Sequence, residues 1–150
     1  MQIYGHSYDA ILEQFLKSAP RYRLVATLSK QDKLEPKALN MGRELAAAIE
    51  KMDRVNKTSF QFEVQEALMR IIHEHTFIDS EFGDCVILEN LGILFESTLG
   101  VNVTNLLKSI SKNTMTILLW PGEMTSQRLF FLDQSSQYYI KQSDINYIII

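Results

Sequence analysis

The chain has 150 residues, 46% hydrophobic and 22% charged, with a formal net charge of -3 at neutral pH. This size predicts one domain, residues 1–150, with a core of its own. The acidic balance argues against a protein that works mainly on nucleic acid. No segment approaches the ~20 apolar residues of a membrane span, and the first residues lack the basic and apolar regions of a signal peptide. A single cysteine, Cys85, excludes an internal disulfide, so we expect a cytoplasmic protein.

The first half of the chain has the hydrophobic pattern of helices joined to short strands. Apolar residues at helical spacing predict a helix over residues 8–19, capped by Ser7 and stopped by Pro20. A strand is expected over residues 21–28. A polar connection then ends at Pro36, and the segment KALNM that follows is short and strand-like.

Two further helices are expected in this half. Asn40 is placed to cap a helix over residues 42–52. Thr58 and Gln61 have the spacing of a capping box, which predicts a long helix from Thr58 to about His75.

The second half of the chain predicts a mostly parallel sheet. CVILEN (85–90) and TMTILLW (114–120) are continuously apolar, as strands buried on both faces are. A helix over residues 102–112 joins them. RLFFLD, QYYIK and INYIII are further β-like runs. We therefore predict a three-layer α/β domain whose central sheet is mostly parallel.

The last run, INYIII, is almost wholly apolar, and a free edge of that kind would aggregate. We expect it inside the sheet. The alternatives are that it is covered by another segment, or that it pairs with another chain as a docking strand.

Four segments carry a resemblance to a known family: LNMGRELAAAI (39–49), VILENLGILFE (86–96), LLKSISKNTMTILLWPGE (106–123) and RLFFLDQSSQYYIKQSD (128–144). Their order resembles the P-loop NTPase fold and, more narrowly, the small BrxF-like proteins of type 3 BREX phage-defence systems. CVILEN lies where the acid-tipped Walker B strand would be, and TMTILLW lies where the sensor strand would be. The resemblance implies a bacterial protein of antiviral defence.

The chain departs from this family at the phosphate-binding loop. A P-loop has the form GxxxxGK followed by Ser or Thr, because backbone N–H groups must close around phosphate. Here the predicted strand RLVATL is followed by SKQDKLEP, which contains no glycine. Only nine residues, 29–37, separate Leu28 from Ala38, so the loop and its helix do not fit.

Three residues are candidates for a nucleotide or magnesium site. The resemblance makes Glu89 a possible magnesium ligand, and a hydrogen-bonded acid at a strand end is the alternative. Asn90 either positions a water molecule or makes the turn. Trp120 either stacks on a base or completes the core.

A second candidate surface is basic: seven Lys and Arg residues occur from position 17 to position 43, against two acids. The residues proposed for a basic binding loop are Lys30, Lys33, Lys37 and Arg43. A solvated surface is the alternative. His73 and His75 lie two apart, whereas a helical zinc pair needs four, so no metal site is predicted. No catalytic residues are predicted either.

Together these features predict a non-catalytic, degenerate P-loop-like subunit that binds other proteins, with a homo-oligomer also possible and no membrane contact. No cofactor is expected. One alternative is an ATPase with an unconventional phosphate site, in which Glu89 holds magnesium. The other is weak nucleic-acid binding through the basic segment.

Overall fold

The computed structural model describes residues 6–28, 37–132 and 134–150. Within these ranges the helices are α1 (His6–Lys17), α2 (Met41–Ile49), α3 (Lys57–His75) and α4 (Val103–Ser111). The strands are β1 (Leu24–Leu28), β2 (Leu39–Asn40), β3 (Phe77–Asp79), β4 (Gly83–Glu89), β5 (Met115–Trp120), β6 (Arg128–Phe130), β7 (Tyr139–Lys141) and β8 (Ile148–Ile149). Two 3₁₀ helices, Leu91–Phe95 and Ser97–Leu99, join β4 to α4.

Six of these strands form one sheet, in the order β2-β4-β5-β1-β8, with β3 paired to β4 outside that path. All pairings along the path are parallel, whereas β3 is antiparallel to β4. Since β5 takes one edge of β4, β2 and β3 share the other edge. The prediction of an α/β fold with a mostly parallel central sheet is confirmed.

Helices pack on both faces of the sheet because the central strands are apolar on both sides. Leu12 of α1 is buried against one face, in a cluster with Val25, Ile87 and Ile117. Helices α2, α3 and α4 pack on the other face, against alternate residues of the same strands. Full burial of each such side chain contributes roughly 1.5–3 kcal/mol.

The short hairpin β6–β7 forms a second, antiparallel sheet. Its inward residues Leu129 and Ile140 are fully buried, and they belong to the same cluster as Leu24 and Trp120. The hairpin therefore adds to the core on the face that also carries α2, α3 and α4. Among the described residues, no helix has the length and apolar character needed to cross a bilayer.

Two of the sequence expectations about local structure are wrong, and one strand was not predicted. The described part of α1 already includes His6, so Ser7 lies within the helix and not at the cap position before it. Strand β3 was not predicted, because FID is short and only one of its three side chains is buried. Strand β8 lies at the edge of the described sheet, paired on one side with β1, and not inside it.

The predicted start of α3 is also wrong. Asn56, and not Thr58, is its N-cap: the Asn56 side chain accepts a hydrogen bond of 3.0 Å from the Ser59 N–H. Gln61 does not complete a capping box, since its amide donates to the Thr98 carbonyl instead. The cap expected at Asn40 is present, and Asn102 caps α4 in the same way. Each accepts a 3.0 Å bond from the backbone N–H three residues on.

We predict that Asn56→Ala lowers the free energy of unfolding by about 1 kcal/mol, because an N–H in the first turn of α3 loses its acceptor. Urea unfolding followed by circular dichroism measures this loss. Thr58→Ala is the matched control and should leave stability unchanged or slightly raised, since alanine favours the helix. The reverse result for the two variants would contradict the assigned cap.

Candidate functional site

The candidate site is the carboxyl edge of the sheet, where the carboxyl ends of the parallel strands lie, since open α/β sheets bind ligands there. Strand β2 ends at Asn40, β4 at Glu89 and β5 at Trp120. Asn40 and Glu89 are direct neighbours in the β2–β4 register. The structure thus places Glu89, Asn90 and Trp120 at the same edge, as their positions after parallel strands predict.

Asn90 fixes the turn that follows β4. Its backbone is left-handed, with φ 54° and ψ 56°, a conformation that asparagine tolerates better than most residues. Its side-chain amide donates a 2.8 Å hydrogen bond to Asn40 Oδ1, and its carbonyl accepts a 3.0 Å bond from the Gly42 N–H. Asn90 therefore ties the end of β4 to the start of α2, which supports its interpretation as a turn residue.

A side chain at Gly42 would displace the Asn90 amide from this contact. A Cβ atom built at this position would lie 2.3 Å from Asn90 Nδ2 and 2.9 Å from Asn90 Cγ, closer than side chains can approach. The glycine lets the first turn of α2 come close enough for the Gly42 N–H to donate to the Asn90 carbonyl. Asn40 Oδ1 accepts hydrogen bonds from both the Asn90 amide and the Arg43 N–H, so both of its lone pairs are used.

Glu89 is half-buried, and its carboxylate forms no hydrogen bond or ion pair with another residue of the described ranges. Magnesium is usually held by one or two carboxylates together with water and phosphate oxygens. Within the described ranges, no group of three His, Cys, Asp or Glu residues could hold a metal ion. Glu89 by itself could supply one magnesium ligand, and the other ligands would come from water or a nucleotide.

Trp120 is 1% exposed, and its indole N–H donates a 2.8 Å hydrogen bond to the Phe130 carbonyl. The ring is thus enclosed by the core and its polar atom is satisfied. This arrangement supports the core interpretation of Trp120, and no ring face is open to a base.

The backbone beyond Trp120 is packed equally closely. A Cβ at Gly122 would lie 1.9 Å from the Phe130 carbonyl oxygen and 2.6 Å from the Leu132 nitrogen. Backbone bonds join Glu123 to Phe130 and to Leu132, and so hold the β6–β7 hairpin against this segment. Only glycine at position 122 permits so close an approach.

Aromatic side chains connect the hairpin to the segment that follows β4. The Phe95 ring in the first 3₁₀ helix lies 5.3 Å from that of Phe131 and 5.4 Å from that of Tyr138, measured between ring centres. Such tilted pairs contribute roughly 0.5–1.5 kcal/mol each beyond their burial. The ends of β4 and β5 are therefore linked by the protein's own C-terminal hairpin.

The basic candidates do not form one described cluster. Lys30 and Lys33 lie outside the described residues. The Lys37 ammonium lies 4.8 Å from the centre of the Phe77 ring, a cation–π distance. Arg43 is exposed and lies 3.4 Å from the Glu44 carboxylate. Lys37 and Arg43 therefore contact different neighbours.

The remaining polar candidates have structural roles. His75 Nδ1 lies 2.8 Å from the Ile71 carbonyl oxygen, whereas His73 is exposed. Asp79 at the end of β3 is only 2% exposed. Its Oδ1 accepts from the Glu81 and Phe82 N–H groups, and its Oδ2 has no partner in the described ranges. Asp79 thus fixes the turn between β3 and β4. In the sequence, the signal for such a turn is an aspartate followed four residues later by Gly83.

The Cys85 thiol is buried at the base of β4. Burial, and after it the nearby carboxylates of Asp79 and Asp84, raises the pKa of this thiol from 9.0 to about 12. The thiol stays protonated at neutral pH and is a poor nucleophile, as expected of a buried cysteine.

Comparison of the chain with protein-family models, curated proteins and solved structures gives no match. The arrangement of its own residues is therefore the basis for the functional argument.

We predict that Cys85 makes stability fall as the pH rises above about 9. The unfolded thiol ionises there while the folded thiol keeps its proton until about pH 12, so alkaline pH favours the unfolded chain. The measurement is the urea midpoint between pH 7 and pH 10.5 in wild type and Cys85→Ala.

The variant serves as the control because tyrosines and lysines also titrate in this range. Its midpoint should fall less steeply with pH than that of wild type. Parallel curves for the two proteins would contradict the raised pKa.

Proposed function

We propose that this chain is a non-catalytic interaction or regulatory subunit with a three-layer, P-loop-NTPase-like fold that has lost its phosphate loop. The resemblance to BrxF-like proteins suggests an assembly for bacterial anti-phage defence as its setting. Its mechanism is docking: a rigid sheet presents the loops at its strand ends to protein partners.

The strand order supports the P-loop part of this proposal. In P-loop NTPases with a sensor strand, that strand lies between the Walker B strand and the strand that leads into the phosphate loop. In this chain β5 lies between β4 and β1, and all three are parallel. Strand β1 leads into SKQDKLEPK, which lacks the glycines and the GK pair of a phosphate loop.

The non-catalytic part depends mainly on one observation: two of the three candidate nucleotide residues are engaged within the protein. The Asn90 amide bonds to Asn40, and the Trp120 indole is buried against Phe130. Freeing the Trp120 N–H would leave a buried donor without a partner, at a cost of roughly 1–3 kcal/mol. Freeing the Asn90 amide would break the bond that joins the end of β4 to Asn40. This closed edge suits a scaffold better than it suits a nucleotide site.

One observation favours the ATPase alternative. The Glu89 carboxylate lies at the end of β4, half-buried and without a hydrogen bond or ion pair to another described residue. In that alternative it holds a magnesium ion, and residues 29–37 supply the phosphate contacts.

We predict that millimolar magnesium-ATP gives no magnesium-dependent rise in the unfolding temperature. A ligand at ~100 times its dissociation constant adds about 2.7 kcal/mol, which raises the midpoint of a chain this size by several degrees. Differential scanning fluorimetry with ATP, with and without magnesium, makes the comparison.

The matched variant is Glu89→Gln, which removes the charge and keeps the shape. A shift that needs magnesium and disappears in this variant would establish the ATPase alternative and overturn the non-catalytic proposal.

We predict that replacing Lys30, Lys33 and Lys37 together with alanine weakens partner binding at least tenfold while the unfolding temperature changes little. The measurement is co-purification with proteins encoded beside this chain, followed by titration of any complex. The control is Lys51→Ala with Arg70→Ala, which removes positive charge from another surface. Undiminished binding by the triple variant would exclude the loop as the docking surface.

A further inference from the structure

The β6–β7 hairpin holds two cations side by side. Arg128 and Lys141 are direct partners in the antiparallel register, so their side chains leave the same face of the hairpin. The Arg128 guanidinium lies 4.7 Å from the centre of the Tyr139 ring and the Lys141 ammonium lies 5.7 Å from it. Both cations are thus positioned by the same tyrosine ring.

These two side chains border a cavity of about 490 Å³, within the size range of small-molecule sites. Every described residue that lines it is polar, and none of these is acidic: Ser126, Gln127, Arg128, Lys141, Gln142, Ser143 and Asn146. These described residues together carry a formal charge of +2, in a chain whose net charge is -3.

Two like charges placed directly opposite each other in a hairpin destabilise it. No carboxylate of the described ranges forms an ion pair with Arg128 or Lys141. The ion pair found within those ranges joins Arg43 to Glu44, on α2. Both cations are half-buried, so water screens them less than it screens a fully exposed pair. The hairpin would gain stability from an anion bound between them.

We propose that this cavity binds a dianionic phosphate group, such as a phosphomonoester or a diphosphate. The planar guanidinium of Arg128 donates two parallel hydrogen bonds to phosphate oxygens, and Lys141 adds a compact charge. The hydroxyls of Ser126 and Ser143 and the side-chain amides of Gln127 and Asn146 provide further donors. Stacking on Tyr139 already orders the two cations, which reduces the entropy lost on binding.

The site is better suited to one phosphate group than to a nucleic-acid strand. Single-strand sites combine a long basic groove with aromatic rings on which bases stack. Here the cations form one pair, and the Tyr139 ring is occupied by them. The proposal is independent of the proposed function, because it uses neither Glu89 nor any residue of the segment 29–37.

Isothermal titration with pyrophosphate and with inorganic phosphate, at low salt and with EDTA present, tests the proposal. We expect saturable binding at one site. Arg128→Gln and Lys141→Gln should each weaken it at least tenfold, whereas Lys141→Arg should retain it. Ser143→Asp, at an exposed loop position, should abolish binding without touching the hairpin packing, so the test survives if a hairpin variant fails to fold.

The matched control is Lys51→Gln with Arg70→Gln, two cations in the groove between α2 and α3 that is also lined by Glu44, Glu63, Glu66 and Glu74. This control should bind as wild type does. The absence of binding heat, or equal weakening in the control, would overturn the proposal. Binding of a 12-nucleotide single strand or of phosphoinositide vesicles without pyrophosphate binding would also overturn it, in favour of a nucleic-acid or membrane surface.

The same variants separate this site from an ATPase site. Binding of ATP in the hairpin cavity persists in EDTA and in Glu89→Gln and is lost in Lys141→Gln. Binding at the ends of β4 and β5 has the opposite dependence.

Discussion

Strand β5 is the element on which the rest of the structure depends. All six of its residues, Met115–Trp120, are buried, and both of its backbone edges are paired, with β4 on one side and β1 on the other. A parallel strand in this position must be apolar on both faces, because helices or loops cover each face. The register that β5 imposes on β4 and β1 places their carboxyl ends together and so decides which loops can meet.

Two close approaches at glycine residues hold the loops at that edge. Gly42 admits Asn90 to the start of α2, and Gly122 admits the β6–β7 hairpin to the end of β5. The hydrogen bond from Trp120 to Phe130 then fixes the hairpin. The edge where an α/β protein usually binds its ligand is therefore occupied in part by the chain itself, and the cavity bordered by Arg128 and Lys141 lies on the hairpin.

Sequence reasoning was accurate where one local pattern decides the outcome. The cap predicted at Asn40 depends on one side chain and one N–H three residues on, and it is present. At α3 two candidate caps compete within three residues. Asn56 prevails, and Gln61, which a capping box would require, is used in a contact with Thr98, 37 positions away. Strand β3 was missed because its three residues contain too little pattern to distinguish a strand from a loop.

The sequence alone determined the α/β class and the burial of the central strands on both faces. Continuous apolar runs between amphipathic helices are compatible with few other folds. It also determined that no standard phosphate loop follows β1. Only the tertiary structure decided that the Asn90 amide bonds to Asn40, 50 positions away. The same holds for the hydrogen bond from Trp120 to the Phe130 carbonyl and for the pairing of Arg128 with Lys141. These contacts join residues far apart in the chain, and they depend on strand register and hairpin docking, which no local pattern contains.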